Sequence, residues 1–425
     1  MPVKSGLPES ARRRRRFGAR LERTDRPSRE PVPPEAWRRL AACTAAAALL
    51  QLDGTLITVA LPSVAHSLHV SNGSTAVVLS AYFLAYALAL VPGGSLVDRF
   101  DARRLALVGL GLFAVAAAAG ALVSTIAALV ATRVIQGVGA GLVSPAALAG
   151  AVSGFPPERR GSALGIWGAS AGVSNLLGPV MGGVLTVAFG WRANWWALVP
   201  LALLAAVAIL RLVPATVQGE ETSHPVLNGA VVLASSVAAL TFAVMIGCFY
   251  LAEQYLQRAA GFSALGASTV LVVVALLVGA AAPVAGRLAD QHGERLPATA
   301  GFLGAALGLL VLGIPGVPLH SPVTIVPLIP VGVGLGMLFV PTSRAALNAT
   351  PLASHGRTSA LLSVGRLLGA AVGAGLAGVG LARGVNGSTV HTALLIACAA
   401  CVILGIPAAS RLGPRPDVAT LISEG

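Results

Sequence analysis

Twelve runs of about twenty mostly apolar residues follow one another along the chain, and they leave few folds open. They fall at roughly 41–63, 76–96, 104–123, 126–150, 161–185, 193–213, 227–252, 266–286, 297–316, 322–345, 358–381 and 389–409. Each is long enough to cross the hydrocarbon core of a bilayer as a helix. Helices are expected throughout, because lipid offers no partner to the backbone of an open sheet. Composition agrees: 56% of the 425 residues are hydrophobic and 11% are charged, against about 25% charged in soluble domains. The expected class is an all-α integral membrane protein with twelve transmembrane helices.

Three short motifs occur twice. GGSLVDRFDARR, Gly93 to Arg104, shares the pattern G-x-L-x-D-x-x-x-x-R with GRLADQHGER, Gly286 to Arg295. GVGAG at Gly137 to Gly141, with Pro145 after it, returns as GVGLG at Gly332 to Gly336 with Pro341. RGSAL at Arg160 to Leu164 returns as RTSAL at Arg357 to Leu361. The offsets are 192, 195 to 196, and 197 residues. Such agreement marks a duplicated chain, a construction common among membrane transporters. The chain accordingly divides into a basic, disordered tail (1–40), a six-helix half (41–213), a polar linker (214–226), a second pseudo-symmetric six-helix half (227–410) and a short tail (411–425).

Charge sets the expected orientation. With the N-terminus inside, cytoplasmic connections and their flanks carry Arg99, Arg103, Arg104, Arg159, Arg160, Arg211, Arg287, Arg295, Arg344 and Arg357. The opposite connections carry only Arg192, Arg258 and Arg383. That asymmetry places both termini in the cytoplasm of a multi-pass protein of the cell membrane. Residues 1–40 hold 12 basic and 5 acidic residues, with Pro27, Pro31, Pro33 and Pro34. They read as a cytoplasmic tail resting on anionic lipid rather than a nucleic-acid arm. No apolar segment follows Arg12 to Arg16 before Ala41, so a cleaved leader is not expected. Cys43, Cys248, Cys398 and Cys401 all fall in apolar runs, where they read as packing residues and not as a metal or redox site. GVGAG is no dinucleotide loop, since no strand precedes it, and no G-x-x-x-x-G-K-[ST] is present to hold ATP.

The pattern resembles the major facilitator superfamily over about residues 41–410, with its charge loops after spans 2 and 8. Leu52-Asp53-x-Thr55…Ala60-Leu61-Pro62 in span 1, Arg133-x-x-Gln136-Gly137-x-Gly139-Ala140 in span 4, Gly165…Gly178-Pro179-x-x-Gly182-Gly183 in span 5 and Tyr255-Leu256-Gln257…Gly261 after span 7 resemble the drug:proton antiporters. The branch they resemble most has fourteen spans, and this chain has no room for two extra helices in its linker. It also carries Asp101 and Ser174 where that pattern has glycine. The resemblance implies alternating access between halves, each half two inverted three-helix units, and proton-coupled export of lipophilic, often cationic, small molecules. It implies a gate at the charge loops: Gly94, Asp98, Arg99 and Arg103, then Gly286, Asp290 and Arg295. It also implies a seam-forming antiporter motif at Gly165, Gly178, Pro179, Gly182 and Gly183, and a span 11 position at Arg366.

Acidic residues narrow the search for a proton carrier. Of sixteen Asp and Glu, only Asp53 lies deep in a span, with Glu253 at the far end of span 7. Intramembrane charges are costly and usually functional. At 1.5 Å per residue, Asp53 lies about 18 Å from the cytoplasmic face and Arg133 about 20 Å from it, the same level of a core about 30 Å thick. Asp53 and Arg133 are the expected proton-coupling pair. Gln136, Tyr250, Glu253 and Gln254 are the expected substrate-cavity residues, with Glu253 selecting cations at the outer mouth. Arg366, about 12 Å in from the cytoplasmic end, is either functional or a snorkelling structural residue. No cofactor is expected, the ion gradient being the energy source. Partners are small-molecule substrate, protons and lipid, with no oligomer implied. Two other functions fit the fold. An uptake symporter would accumulate substrate in cells until an uncoupler is added, and a non-transporting sensor would give no flux in proteoliposomes. No nucleophile–base set suggests an enzyme.

Overall fold

A computed structural model describes residues 32–156, 160–215, 227–319, 324–351, 355–382 and 384–413. Among these residues twelve long helices run in sequence, without strands. They are α1 (Pro34–Ser67), α2 (Asn72–Arg99), α3 (Ala102–Leu122), α4 (Ile126–Val152), α5 (Arg160–Phe189), α6 (Arg192–Leu212), α7 (Gly229–Arg258), α8 (Ala264–His292), α9 (Arg295–Gly313), α10 (Ile325–Asn348), α11 (His355–Leu381) and α12 (Gly387–Ala400). α12 continues through a π turn, Cys401–Gly405, to Ala409. Eleven of the twelve are long and apolar enough in their described residues to cross a membrane. The end of the bundle bearing the α1–α2 and α7–α8 connections is called distal below; the end bearing the charge loops is called basal.

Local chemistry starts these helices where the sequence turns polar. Ser71, Asp101, Thr125, Asn228, Ser263 and Asn386 each accept a backbone N–H from the first turn of the helix that follows, satisfying a donor that has no intrahelical partner. Asp101, out of place in the charge-loop pattern, is thus the cap of α3, bonded to Arg104 N at 2.9 Å.

The glycine repeat does the same packing work in both halves. In α4, a Cβ on Gly137 would lie 2.6 Å from the Tyr82 carbonyl oxygen in α2. One on Gly139 would lie 2.6 Å from the Gly109 carbonyl oxygen in α3. In α10, Gly332 meets Leu277 of α8, and Gly334 meets Gly301 and Ala305 of α9. The alternating glycines therefore seat two neighbouring helices on one, once in each half, at a separation any side chain would forbid.

The halves, α1–α6 and α7–α12, meet through α2 against α11 and α5 against α8, with α1 approaching α7. Two boundaries move from expectation. α1 begins at Pro34, inside the segment expected as tail, with Ala36 and Leu40 buried and Trp37 edge-on to Phe155 at 5.1 Å; residues 1–31 lie outside the described residues. Proline suits a first helical turn, and Phe155 gives that turn an apolar partner. Span 7, expected to end near 252, runs on to Arg258. At the other terminus, residues 411–413 fold back: Arg295 Nε donates to the Leu412 carbonyl at 2.8 Å. Most of the linker, residues 216–226, lies outside the described residues.

Candidate functional site

α1 and α4 cross in the middle of the first half and bring Asp53 and Arg133 into contact. Both are fully buried. Arg133 Nη1 donates to both carboxylate oxygens at 2.7 Å and to Gln136 Oε1 at 3.1 Å. Its Nε reaches the Val78 carbonyl at 3.4 Å, and its guanidinium lies 4.2 Å from the Tyr82 ring centroid. Tyr82 in turn donates to the Leu50 carbonyl at 2.8 Å, tying α2 to α1 just below the pair. Arg133 Nη2 and Gln136 Nε2 have no hydrogen-bond partner among the described residues. Burying an ion pair costs desolvation on both sides.

The span 5 motif packs beside this pair. A Cβ on Gly178 would strike Thr55, and one on Gly182 would lie 2.6 Å from the Leu56 carbonyl oxygen, so both glycines press α5 onto α1 within three residues of Asp53. Gly183 faces the other way. A Cβ there would lie 2.7 Å from Ser268 Oγ and 2.9 Å from Leu265 Cα, across the seam on α8. Pro179 is buried inside the helix, Gly165 lies in its second turn, and Ser174 Oγ donates to the Ala48 carbonyl at 2.9 Å.

A second polar cluster crosses between the halves at the distal end. Tyr250 Oη and Thr75 Oγ1 are 2.8 Å apart, and Gln254 Nε2 donates to Thr75 Oγ1 at 3.3 Å. Gln257 Nε2 donates to Glu253 Oε2 at 2.6 Å and to the Val59 carbonyl of α1 at 2.9 Å. Glu253 is not at an open mouth, as expected, but fully buried, because α7 extends past it and α1 covers it. The four expected cavity residues thus separate into two patches, Gln136 with Arg133 and the other three in this seam.

An apolar cavity of about 270 Å³ lies inside the second half instead, walled by Phe249, Leu256, Leu271, Leu309, Leu335 and Leu394 among others. None of the four lines it. The distal part of α7 therefore carries a polar face toward the seam and an apolar face toward the cavity.

The charge loops and span 11 resolve differently. Asp290 pairs with Arg344 at the basal end, and Arg344 Nε lies 3.7 Å from Glu294 Oε1, which also accepts from Asn348 at 2.9 Å. All four belong to the second half, and these contacts tie α8, α9 and α10 to one another. Arg295 is held by the tail, as above, and Gly286 has only Val340 near it. In the first copy a Cβ on Gly94 would meet nothing within 4 Å, Arg99 is exposed and Arg103 half-buried. The Asp98 side chain lies outside the described residues. Arg366 is half-buried, donates to Ser343 Oγ at 2.9 Å and stacks near Phe242 and Phe339, with ring centroids at 5.8 and 5.9 Å. The four cysteines are free, and no metal-ligand cluster occurs among the described residues.

Sequence reasoning missed Tyr82, Thr75, Gln257 and Glu294 as partners. The first two were readable: Thr75, Tyr82 and Tyr86 recur at helical spacing on one face of an otherwise aliphatic span. Glu294 gave no such signal, lying inside a loop already full of charge.

Comparison with known proteins bears on the family and the fold. The chain is 26% identical over 396 residues to the multidrug resistance protein Stp of Mycobacterium tuberculosis, covering 79% of this chain and 74% of that one. It is 38% identical over 172 residues to the tetracenomycin C resistance and export protein of Streptomyces glaucescens, covering 40% of this chain and 32% of that one. In two of the first three curated relatives the match spans about a third of the relative's length. The fold is shared with a bacterial homologue of the human lysosomal transporter Spinster, solved inward-facing and occupied, at a TM-score of 0.71 and 17% identity, over 89% of this chain and 96% of that one. The family model described as Major Facilitator Superfamily matches residues 43–374 and 233–422. This multi-pass membrane protein belongs to the Major Facilitator Superfamily, a family of transporters.

Proposed function

We propose that the chain is a proton-coupled exporter of lipophilic, cationic small molecules. The observation that carries this reading is the dry Asp53–Arg133 pair at the crossing of α1 and α4. Asp53 has room for one positive partner at a time: the guanidinium, a proton or a cationic substrate. A proton or substrate that takes the carboxylate frees Arg133, whose Gln136 and Val78 contacts hold it nearby. Binding of either cation excludes the other, which is antiport by competition, and departure of the bound cation returns the carboxylate to Arg133. The resistance and export functions named for two relatives support the outward direction of transport. The basal end, with its arginines, faces the cytoplasm, and the distal end faces outward.

The test is Asp53→Asn in proteoliposomes, with ethidium as the lipophilic cation and a pH gradient as the only driving force. The expected result is loss of uphill accumulation with membrane insertion retained. Accumulation against the gradient by Asp53→Asn places the coupling proton elsewhere and overturns the reading.

A further inference from the structure

Glu253 is the second fully buried carboxyl group, and its surroundings are unlike those of Asp53. No ion pair reaches it among the described residues. Its Oε2 accepts one neutral hydrogen bond, from Gln257, and its Oε1 has no partner. The neighbouring Gln254 Oε1 also lacks one among the described residues. The elements packed on α7 bring no compensating charge. From α1, Asp53 lies six residues before Val59 and is taken by Arg133, while His66 is exposed beyond it. From α8, Ser268 and Thr269 bond to their own helix. From α10 and α11, Arg344 and Arg366 lie at the basal end, each bound within the second half. From α12, His391 Nδ1 is bonded to the Leu312 carbonyl oxygen. On α7 itself, Arg258 is half-buried one turn further on and forms no ion pair with Glu253. A bare carboxylate buried with one neutral donor is strongly disfavoured, whereas a carboxylic acid carries no charge and turns one acceptor into a donor.

The position gives that proton a task. Gln257 spends one N–H on Glu253 and the other on the Val59 carbonyl of α1, so the carboxyl group orients the amide that spans the two halves. We propose that Glu253 is a second proton-binding site, protonated while the distal seam is closed and ionised when the seam opens and water reaches it. The proton is exchanged with the distal compartment: the O–H bond breaks on opening, the proton goes to water, and the carboxylate remains hydrated until a proton returns and the seam can close. This extends the proposed proton coupling to a site in the other half, and its test needs no substrate, so it stands or falls apart from the Asp53 experiment.

The full-length chain is reconstituted in liposomes with its four native cysteines replaced by alanine and spin labels on Ser67→Cys and Ser388→Cys, at the distal ends of the two halves. Pulsed electron resonance reads the distance between them across a pH series. In the otherwise unaltered chain the long-distance population grows as pH rises. Glu253→Gln, neutral at every pH, keeps the short distance throughout, and Asp53→Asn retains the transition. Glu253→Asp keeps the transition with a moved midpoint, and that shift decides the matter if Glu253→Gln does not insert. An unchanged transition in Glu253→Gln, an unmoved midpoint in Glu253→Asp, or no pH-dependent opening in the unaltered chain overturns the proposal.

Discussion

Asp53 and Glu253 are both removed from solvent, yet α4 gives the first a charged partner and no described residue gives the second one. The first site is a pair, neutral as a whole, inside one half; the second is a lone carboxyl group at the seam between halves, held by an amide. Burial is the same, so the difference comes from what each carboxyl group faces. A carboxyl group opposite a guanidinium keeps its charge by sharing it, and one opposite an amide stays buried cheaply only without its charge. On the reading proposed above, one conformation of a single chain holds a paired and an unpaired proton site.

Removing the partners ranks the sites. Arg133→Gln strands Asp53 as an uncompensated buried charge, and a loss of about 3–5 kcal/mol is expected. The melting temperature in detergent falls accordingly, and the double variant with Asp53→Asn recovers most of the loss. Equal loss in the single and double variants would break the comparison, since the pair would then be energetically uncoupled. Gln257→Leu removes only a neutral donor from Glu253 and from the Val59 carbonyl, and about 1–3 kcal/mol is expected. If Gln257→Leu costs as much as Arg133→Gln, Glu253 carries its charge in the closed seam. Asp290→Asn supplies an exposed reference: Asp290 is paired with Arg344 but 68% exposed. A change within about 1 kcal/mol is expected there, with the remaining effect screened by added salt. A larger loss would mean that the pair is not the solvated surface contact its exposure implies.

Much of the membrane architecture was legible before any coordinates. The twelve apolar runs match the twelve helices, and the duplicated glycines mark the same helix crossing in both halves. The shared depth of Asp53 and Arg133 also followed from helix rise alone, and the two residues are in contact. The extent of α1 and α7 was underestimated, because both continue as helix beyond their apolar runs where tertiary partners wait: Phe155 for Trp37, and α1 and α2 for the polar face of α7.

Span number, duplication and depth are local properties, since an unsatisfied backbone in lipid forces each apolar run into a helix whose rise per residue is constant. The sequence by itself therefore determined them. Rotation of each helix about its axis is not local. It depends on which neighbour each face meets, and so only the tertiary structure decided three things. It turned Glu253 inward to the seam and away from an open mouth. It joined Asp290 to Arg344 within one half. It also pointed Gly183 across to α8 while Gly178 and Gly182 face α1, because successive helical residues turn by about 100° and the two halves press on α5 from different sides.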